Sequence, residues 1–273
     1  MVSTYMVRPR KTPRWLEAAR VANQSTKGDW LSRALSRAGV LPLAQAEEAI
    51  RHGRVTIDAR EAREPLTPVS PRSVVTLDGQ RVSLAWVTRV LMLHKPRGVV
   101  THGSDPEGIG TVFDALARAL PSGLERFGWH AVGRLDRDTT GLLLFTNDEK
   151  FVAHATSPET HLPKRYVAKV GAKVTAEKLE RLRAGVELDD GPARPAKVGA
   201  RGDDVVELVL TEGRWHQVKR MLGAVGLPTL ELHREAVGGL ELDVAVGVVR
   251  EVTEAEIRDA LHFPPLPLGR GSG

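Results

Sequence analysis

The sequence predicts an α+β protein of two domains, the larger built on a mixed, largely antiparallel sheet. Three observations carry this expectation. At 273 residues the chain is long enough for more than one core. Segments with strand-like alternation and segments with helical spacing interleave irregularly, without the βαβ repeat of a parallel sheet. A linker-like stretch at 81–88 separates a compact early module from a longer remainder.

Taken in order, residues 1–28 hold Arg8, Arg10, Lys11, Arg14, Arg20 and Lys27 against the single acid Glu17. With no sustained apolar period, they read as a flexible basic arm of the kind that adds phosphate contacts. The module at 29–80 follows. Asp29 is placed to cap a helix with Trp30, Leu31, Ala34, Leu35 and Ala38 on one face, ended by Gly39. Pro42 opens a second helix with Ala46, Ala49 and Ile50 apolar and Gly53 as its stop. Strands at 54–58 and 74–77 follow, the latter running into an Asp78-Gly79 turn. Arg33, Arg37, Arg51, His52 and Arg54 lie mostly off the apolar faces, and the four arginines make a candidate RNA-binding surface.

The second domain spans 89–262. Arg89 to Leu93 reads as a strand, followed by His94-Lys95-Pro96-Arg97-Gly98. Thr111 caps a helix reaching Leu120, stopped by Pro121-Ser122-Gly123. Leu142 to Phe145 is a buried strand, and Lys164 to Val170 alternates as another. Thr175 caps a helix carrying Leu179 and Leu182, ended by Gly185. Val205 to Leu210 is an apolar strand. Glu212-Gly213 turns into a helix with Val218, Met221, Leu222 and Val225 on its apolar stripe, closed by Gly226 and Pro228. Residues 263–273 are a Pro/Gly-rich tail with little capacity to fold.

Bulk composition narrows the function. Cysteine is absent, which excludes disulfides and thiolate metal sites and fits a reducing cytoplasm. The first residues lack the apolar core of a signal peptide, and no apolar run approaches the ~20 residues of a membrane span. A sequence pI near 9.7 and a net charge of +5 point to a polyanionic partner.

The densest chemistry lies in Gly133-Arg134-Leu135-Asp136-Arg137-Asp138-Thr139-Thr140-Gly141, directly ahead of an apolar strand. Charge beside a core is costly unless each charge is paired. Four readings compete. The spacing of Asp136, Asp138, Thr140 and Gly141 matches the start of a calcium loop, but the twelfth position, which needs a bidentate Glu, is Asn147. Asp136-x-Asp138-x-Thr140 resembles the first motif of haloacid-dehalogenase-type phosphatases, but Gly133 and Arg134 interrupt the continuous strand that should precede it. An isolated Asp-rich turn with internal ion pairs is the plain structural reading. The last reading is metal-free carboxylate chemistry on a nucleoside. That chemistry needs a nearby cation and a flat wall for an extruded base. In the late helix Lys219 sits at the edge of the apolar stripe, with His216 and Arg220 opposite it. Tyr166, one of two tyrosines in the chain, lies in a strand flanked by Arg165 and Lys169.

Several segments together resemble the RsuA/RluB/E/F group of pseudouridine synthases. Gly133-Arg134-Leu135-Asp136-x-Asp138-Thr139-Thr140-Gly141-Leu142-Leu143-Leu144 looks like their catalytic motif. His94-Lys95-Pro96-x-Gly98 resembles their Asn-Lys-Pro-x-Gly segment, with His94 in place of asparagine. Lys164-x-Tyr166, the stretch from Glu212 to Met221, Leu232-His233-Arg234-Glu235 and Gly238-Gly239-Leu240 follow in the family's order. Residues 29–79 resemble the S4 RNA-binding domain that precedes the catalytic domain in this group. The resemblance implies that Asp136 is the essential aspartate, Tyr166 the residue that stacks on uracil and helps remove the C5 proton, and Lys219 the cation paired with the aspartate. It further implies substrate contacts by Arg134, Thr140, His216, Arg220 and Lys95. No metal or other cofactor is implied. The expected partner is ribosomal RNA or a ribosomal subunit precursor, with no membrane, and the expected form is a monomer in the cytoplasm. His216-Gln217-Val218-Lys219-Arg220-Met221 resembles the small-subunit branch, so 16S rRNA is expected over 23S rRNA. The competing class is a non-catalytic RNA-binding assembly protein on the same scaffold, which has no need of Asp136, Tyr166 and Lys219 together.

Overall fold

A computed structural model describes residues 29–70, 72–84, 88–101, 108–121, 124 and 128–263. The basic arm expected at 1–28, Ser122-Gly123 of the expected helix stop, and positions 264–273 of the expected tail lie outside these. The chain divides into two compact units near residue 86.

In the first unit, β1 (Asp29–Trp30) leads directly into α1 (Leu31–Arg37), followed by α2 (Leu43–Arg51). Asp29 does not cap α1 as the sequence suggested. Its backbone pairs with Val69, its own Oδ1 accepts the Trp30 N–H at 2.8 Å, and Oδ2 meets Arg37 at 2.8 Å. Strand pairing thus claims the position that propensity assigns to a cap. Gly39 at φ +70° and Gly53 at φ +73° end the two helices, using a backbone region that side chains rarely adopt. β2 (Val55–Ile57), β3 (Arg60–Ala62), β4 (Pro68–Val69), β5 (Val75–Leu77) and β6 (Gln80–Val82) complete the unit. They form a four-stranded sheet in the order β3-β2-β5-β6, with β4 pairing β1 instead. The Asp78-Gly79 turn, both residues at positive φ, joins β5 to β6 as an antiparallel hairpin. Arg81 and Val82 therefore belong to a strand and not to a linker. Leu31, Leu35, Ala46, Ile50, Val55 and Val75 form the core.

The second unit starts with β7 (Val90–Lys95) and α3 (Val112–Ala119), then β8 (His130–Val132), β9 (Thr140–Thr146), α4 (Glu149–Thr156) and β10 (Lys164–Val170). α5 (Ala176–Ala184), β11 (Glu187–Leu188), β12 (Gly191–Pro192), β13 (Lys197–Ala200) and β14 (Val205–Leu210) come next. α6 (Gln217–Ala224), β15 (Thr229–Val237), β16 (Leu240–Glu241), β17 (Val249–Val252) and α7 (Glu254–Asp259) finish the unit. Thr111 and Thr175 cap α3 and α5 as expected, the former in a reciprocal capping box with Asp114.

A nine-stranded mixed sheet runs β13-β14-β10-β15-β9-β7-β17, with β16 on β15 and β8 on β9. Among the described residues β15 and β9 run parallel, and every other ladder in this sheet is antiparallel. The unbroken apolar run in β9 is explained by burial on both faces. Leu142 and Leu144 pack with Phe151, Leu162 and Ile257, while Leu143 and Phe145 pack with Val112, Leu116 and Leu135. A third cluster joins α5 and α6 to β10 and β14. The core also reaches beyond the expected domain end. Phe263, placed in the tail by sequence, is buried edge-on against Phe151 at 5.1 Å between ring centroids.

Candidate active site

The loop between β8 and β9 carries Asp136, and its shape is set by tethers to buried groups. Leu135 is buried in the core beneath it, a contact worth about 2 kcal/mol. Thr101 Oγ1 donates to the Leu135 carbonyl at 2.7 Å and accepts the Leu135 N–H at 3.3 Å. Gly98 N donates to the Arg137 carbonyl at 2.8 Å, and Thr139 N closes the turn onto the Asp136 carbonyl at 3.1 Å. At the loop's end, Gly141 at φ +110° enters β9 opposite Arg234 of β15. A Cβ there would overlap the Arg234 carbonyl oxygen and stand 2.6 Å from its nitrogen. The parallel pairing that fixes the loop's exit therefore requires glycine.

Lys95 corrects the sequence reading. Expected to touch substrate, it is wholly buried under the loop. Its ammonium donates to the carbonyls of Thr139 at 2.9 Å, Pro96 at 3.1 Å and Arg137 at 3.3 Å. Burial pushes its pKa down to about 8, although Asp138 and Asp136 act to hold it up. Thr140 is likewise turned from the cleft, its hydroxyl 2.8 Å from His233 Nδ1. Its neighbour Thr139 lines the cleft instead, with its Oγ1 buried and without a hydrogen-bond partner in the structure.

α6 delivers the cation. Val218, Met221 and Leu222 bury its apolar stripe, which turns Lys219 toward the loop. Lys219 Nζ lies 3.0 Å from Asp136 Oδ2 and 2.6 Å from Asp138 Oδ1. Burial acts to lower the Lys219 pKa, but the hydrogen bonds to Asp138 and Asp136 outweigh it and hold the ammonium above its ordinary range. The same contact keeps Asp138 below the usual carboxylate range against the opposing effect of burial. His216, expected to contact substrate, lies beside Asp136. It precedes α6 at φ +48°, off the helical path, and its Nε2 comes within 3.2 Å of Asp136 Oδ1. Asp136, with a quarter of its side chain exposed, is thus gripped at both oxygens.

Tyr166 faces the same cleft, together with Arg134, Leu135, Asp136 and Leu232. Arg234, quoted in the sequence only as part of a strand motif, positions it. This buried guanidinium donates from Nε to the Leu142 carbonyl at 2.7 Å, and Nη1 stands 3.5 Å from Tyr166 Oη. Arg220 is committed elsewhere, bound through two nitrogens to Asp190 at 2.8 and 3.1 Å. The hydrogen bond from Arg220 holds the Asp190 carboxyl at about 2.

In the first unit, Arg33, Arg51 and Arg54 are exposed, the last two paired with Glu47 and Asp78. Arg37 is not part of that surface. Its side chain is 10% exposed and bound to Asp29. Asn147, the twelfth position of the rejected calcium loop, accepts the Arg89 N–H at 2.8 Å, and Asp148 caps α4. Among the described residues no group of three or more His, Asp or Glu is placed to hold a metal ion.

The arrangement offers a carboxylate flanked by Lys219 and His216 and an aromatic side chain lining the same cleft. It suits attack on, or proton removal from, a flat ring brought out of a stack. Comparison with known proteins agrees. The model of the RNA pseudouridylate synthase family matches residues 89–224. Ribosomal small subunit pseudouridine synthase A of Escherichia coli (strain K12) is 38% identical over 218 residues, covering 78% of this chain and 92% of that protein. Ribosomal large subunit pseudouridine synthase B of Yersinia pestis is 32% identical over 259 residues, covering 87% of this chain and 80% of that protein. A crystal structure of a pseudouridylate synthase superposes with a TM-score of 0.59 at 29% identity, covering 85% of this chain and 99% of that one. The chain belongs to the RNA pseudouridylate synthase family.

Proposed function

We propose that this protein isomerises uridine to pseudouridine in ribosomal RNA, that its target lies in the 16S rRNA, and that Asp136 is the reacting carboxylate. The observation that carries the reading is the grip of Lys219 and His216 on Asp136 at 3.0 and 3.2 Å, in a cleft that Tyr166 walls. The target uridine leaves the helix stack and enters that cleft. Asp136 attacks the ribose or the base, and the N1–C1′ bond breaks. The uracil turns and rejoins C1′ through C5, and the bond that Asp136 formed breaks, returning its carboxylate. The C5 proton is then removed with help from Tyr166, and N1 ends protonated, so the atoms balance with nothing added or lost. Lys219, 3.0 Å from Asp136 Oδ2, holds the carboxylate in position for attack. Arg134, which lines the cleft, contacts the extruded nucleotide.

Two features favour 16S over 23S rRNA. Identity to the small-subunit relative is 38%, against 32% to the large-subunit one. The stretch from His216 to Met221 also resembles the small-subunit branch. The first unit acts as an S4-type RNA-binding domain, with Arg33, Arg51 and Arg54 on its phosphate-facing surface. The enzyme works in the cytoplasm as a monomer.

Asp136→Asn tests the central claim. Tritium release from 16S rRNA transcripts labelled at uridine C5 should vanish while RNA binding survives. Wild-type turnover by the variant would remove Asp136 from the mechanism. Absence of release by the wild-type protein from any ribosomal transcript would favour a non-catalytic assembly role. Mapping of pseudouridines in cells with and without the protein decides between subunits, and a site lost only from 23S rRNA would overturn the 16S assignment.

A further inference from the structure

Trp215 is 69% exposed, the highest value among the exposed large hydrophobic side chains of the described residues. An indole normally gives up far more of its surface on folding. Its position is nonetheless fixed. It stacks on His216 with centroids 3.9 Å apart and planes 18° apart. The Arg220 guanidinium stands 6.0 Å from the ring centroid and is itself anchored on Asp190. His216 in turn reaches Asp136 at 3.2 Å. A flat, open aromatic surface is therefore held one imidazole away from the reacting carboxylate.

We infer that Trp215 is a stacking platform for an unpaired nucleobase of the same RNA strand, a near neighbour of the uridine that enters the cleft. The inference rests on the proposed action of Asp136 on an RNA uridine. A nucleobase is favoured over a protein side chain because the surface is continuous with the cleft through His216. Arg220 stands beside the ring and Arg214 precedes it in the chain, a setting that suits a phosphate backbone. Extruding one uridine unstacks its neighbours, and a rigid indole gives one of them a replacement face. Stacking of this kind is sequence-tolerant, so it adds affinity and holds the strand in register while leaving base identity to the cleft.

The test uses the full chain. In an Asp136→Asn background, filter binding of the 16S rRNA transcript should weaken about tenfold or more with Trp215→Ala and recover with Trp215→Phe, which keeps a flat ring. With Asp136 intact, single-turnover tritium release should show the same loss in half-saturating enzyme concentration, with the rate at saturation within about threefold of wild type. Once the target is mapped, transcripts made abasic at either neighbour should lose affinity for the wild-type protein at one of the two positions and show no further loss with Trp215→Ala. Unchanged binding by Trp215→Ala overturns the platform whether or not turnover is seen. Loss of the saturating rate alone also overturns it, because Trp215 would then act only by holding His216. Failure of wild-type turnover, by contrast, would strike the proposed reaction and leave the binding measurement to judge the platform.

Discussion

Replacing Lys95 by methionine separates the stability of this fold from the geometry of its reactive loop. The substitution keeps the length and apolar stem and removes an ammonium that donates to the carbonyls of Pro96, Arg137 and Thr139. Two effects oppose each other in stability. A fully buried lysine whose pKa falls from 10.5 to about 8 carries a protonated form disfavoured by roughly 3 kcal/mol, and methionine relieves that cost. Against this, the Pro96 and Thr139 carbonyls lose a charged donor, at about 1–3 kcal/mol each. The Arg137 carbonyl keeps the Gly98 N–H. The net change at pH 7 is expected within about 2 kcal/mol. Activity has no such compensation, since a loop displaced by about 1 Å loses on the order of a hundredfold in rate. Urea unfolding and single-turnover tritium release measure the two quantities on the same protein.

A pH series sharpens the test. Below pH 8 the folded protein bears the full burden of the charged Lys95, and above 10.5 it bears none. Between those limits the unfolded chain binds more protons, so stability rises with pH. Lys164, also pushed by burial to about 8, adds to the same rise. Lys95→Met should remove only its own share. Wild-type activity should fall as pH rises through about 8, because a neutral amine has two N–H groups for three carbonyls. A folded Lys95→Met protein with the full wild-type rate would refute the tether.

Two further outcomes follow from the same geometry. Gly141→Ala should destabilise by about 3–5 kcal/mol, from a strained φ and a prised β9–β15 ladder, and calorimetry should show a melting temperature lower by roughly 10 °C; an unchanged melting temperature would show that the parallel pair yields freely. The double charge reversal Arg33→Glu with Arg51→Glu should weaken 16S rRNA binding and flatten its salt dependence by about two phosphate contacts, and an unaltered salt slope would exclude the first unit from the RNA interface.

Much of this was legible in the residue order. Thr111 and Thr175 caps, the Asp78-Gly79 hairpin and the apolar run at Leu142–Phe145 are local signals, set by propensity, capping chemistry and burial within a few positions. The motif around Asp136 and the helical phase of Lys219 also needed only nearby residues. Asp29 shows where such reasoning ends, since a strand partner forty residues away claimed the cap position. The same holds for the reactive site. Lys95 reads as a cation beside the active loop, but whether it faces substrate or lies beneath the loop depends on the register of β7 with β9. His216 leaves the helical phase because its backbone turns to φ +48°, and Arg234 meets Tyr166 because β10 and β15 are neighbours. By itself the sequence determined which side chains carry charge, which surfaces must be buried and what family the motifs resemble. Only the tertiary structure decided which charges pair with which. Pairing is a matter of angstroms between segments far apart in the chain, and no local propensity encodes it.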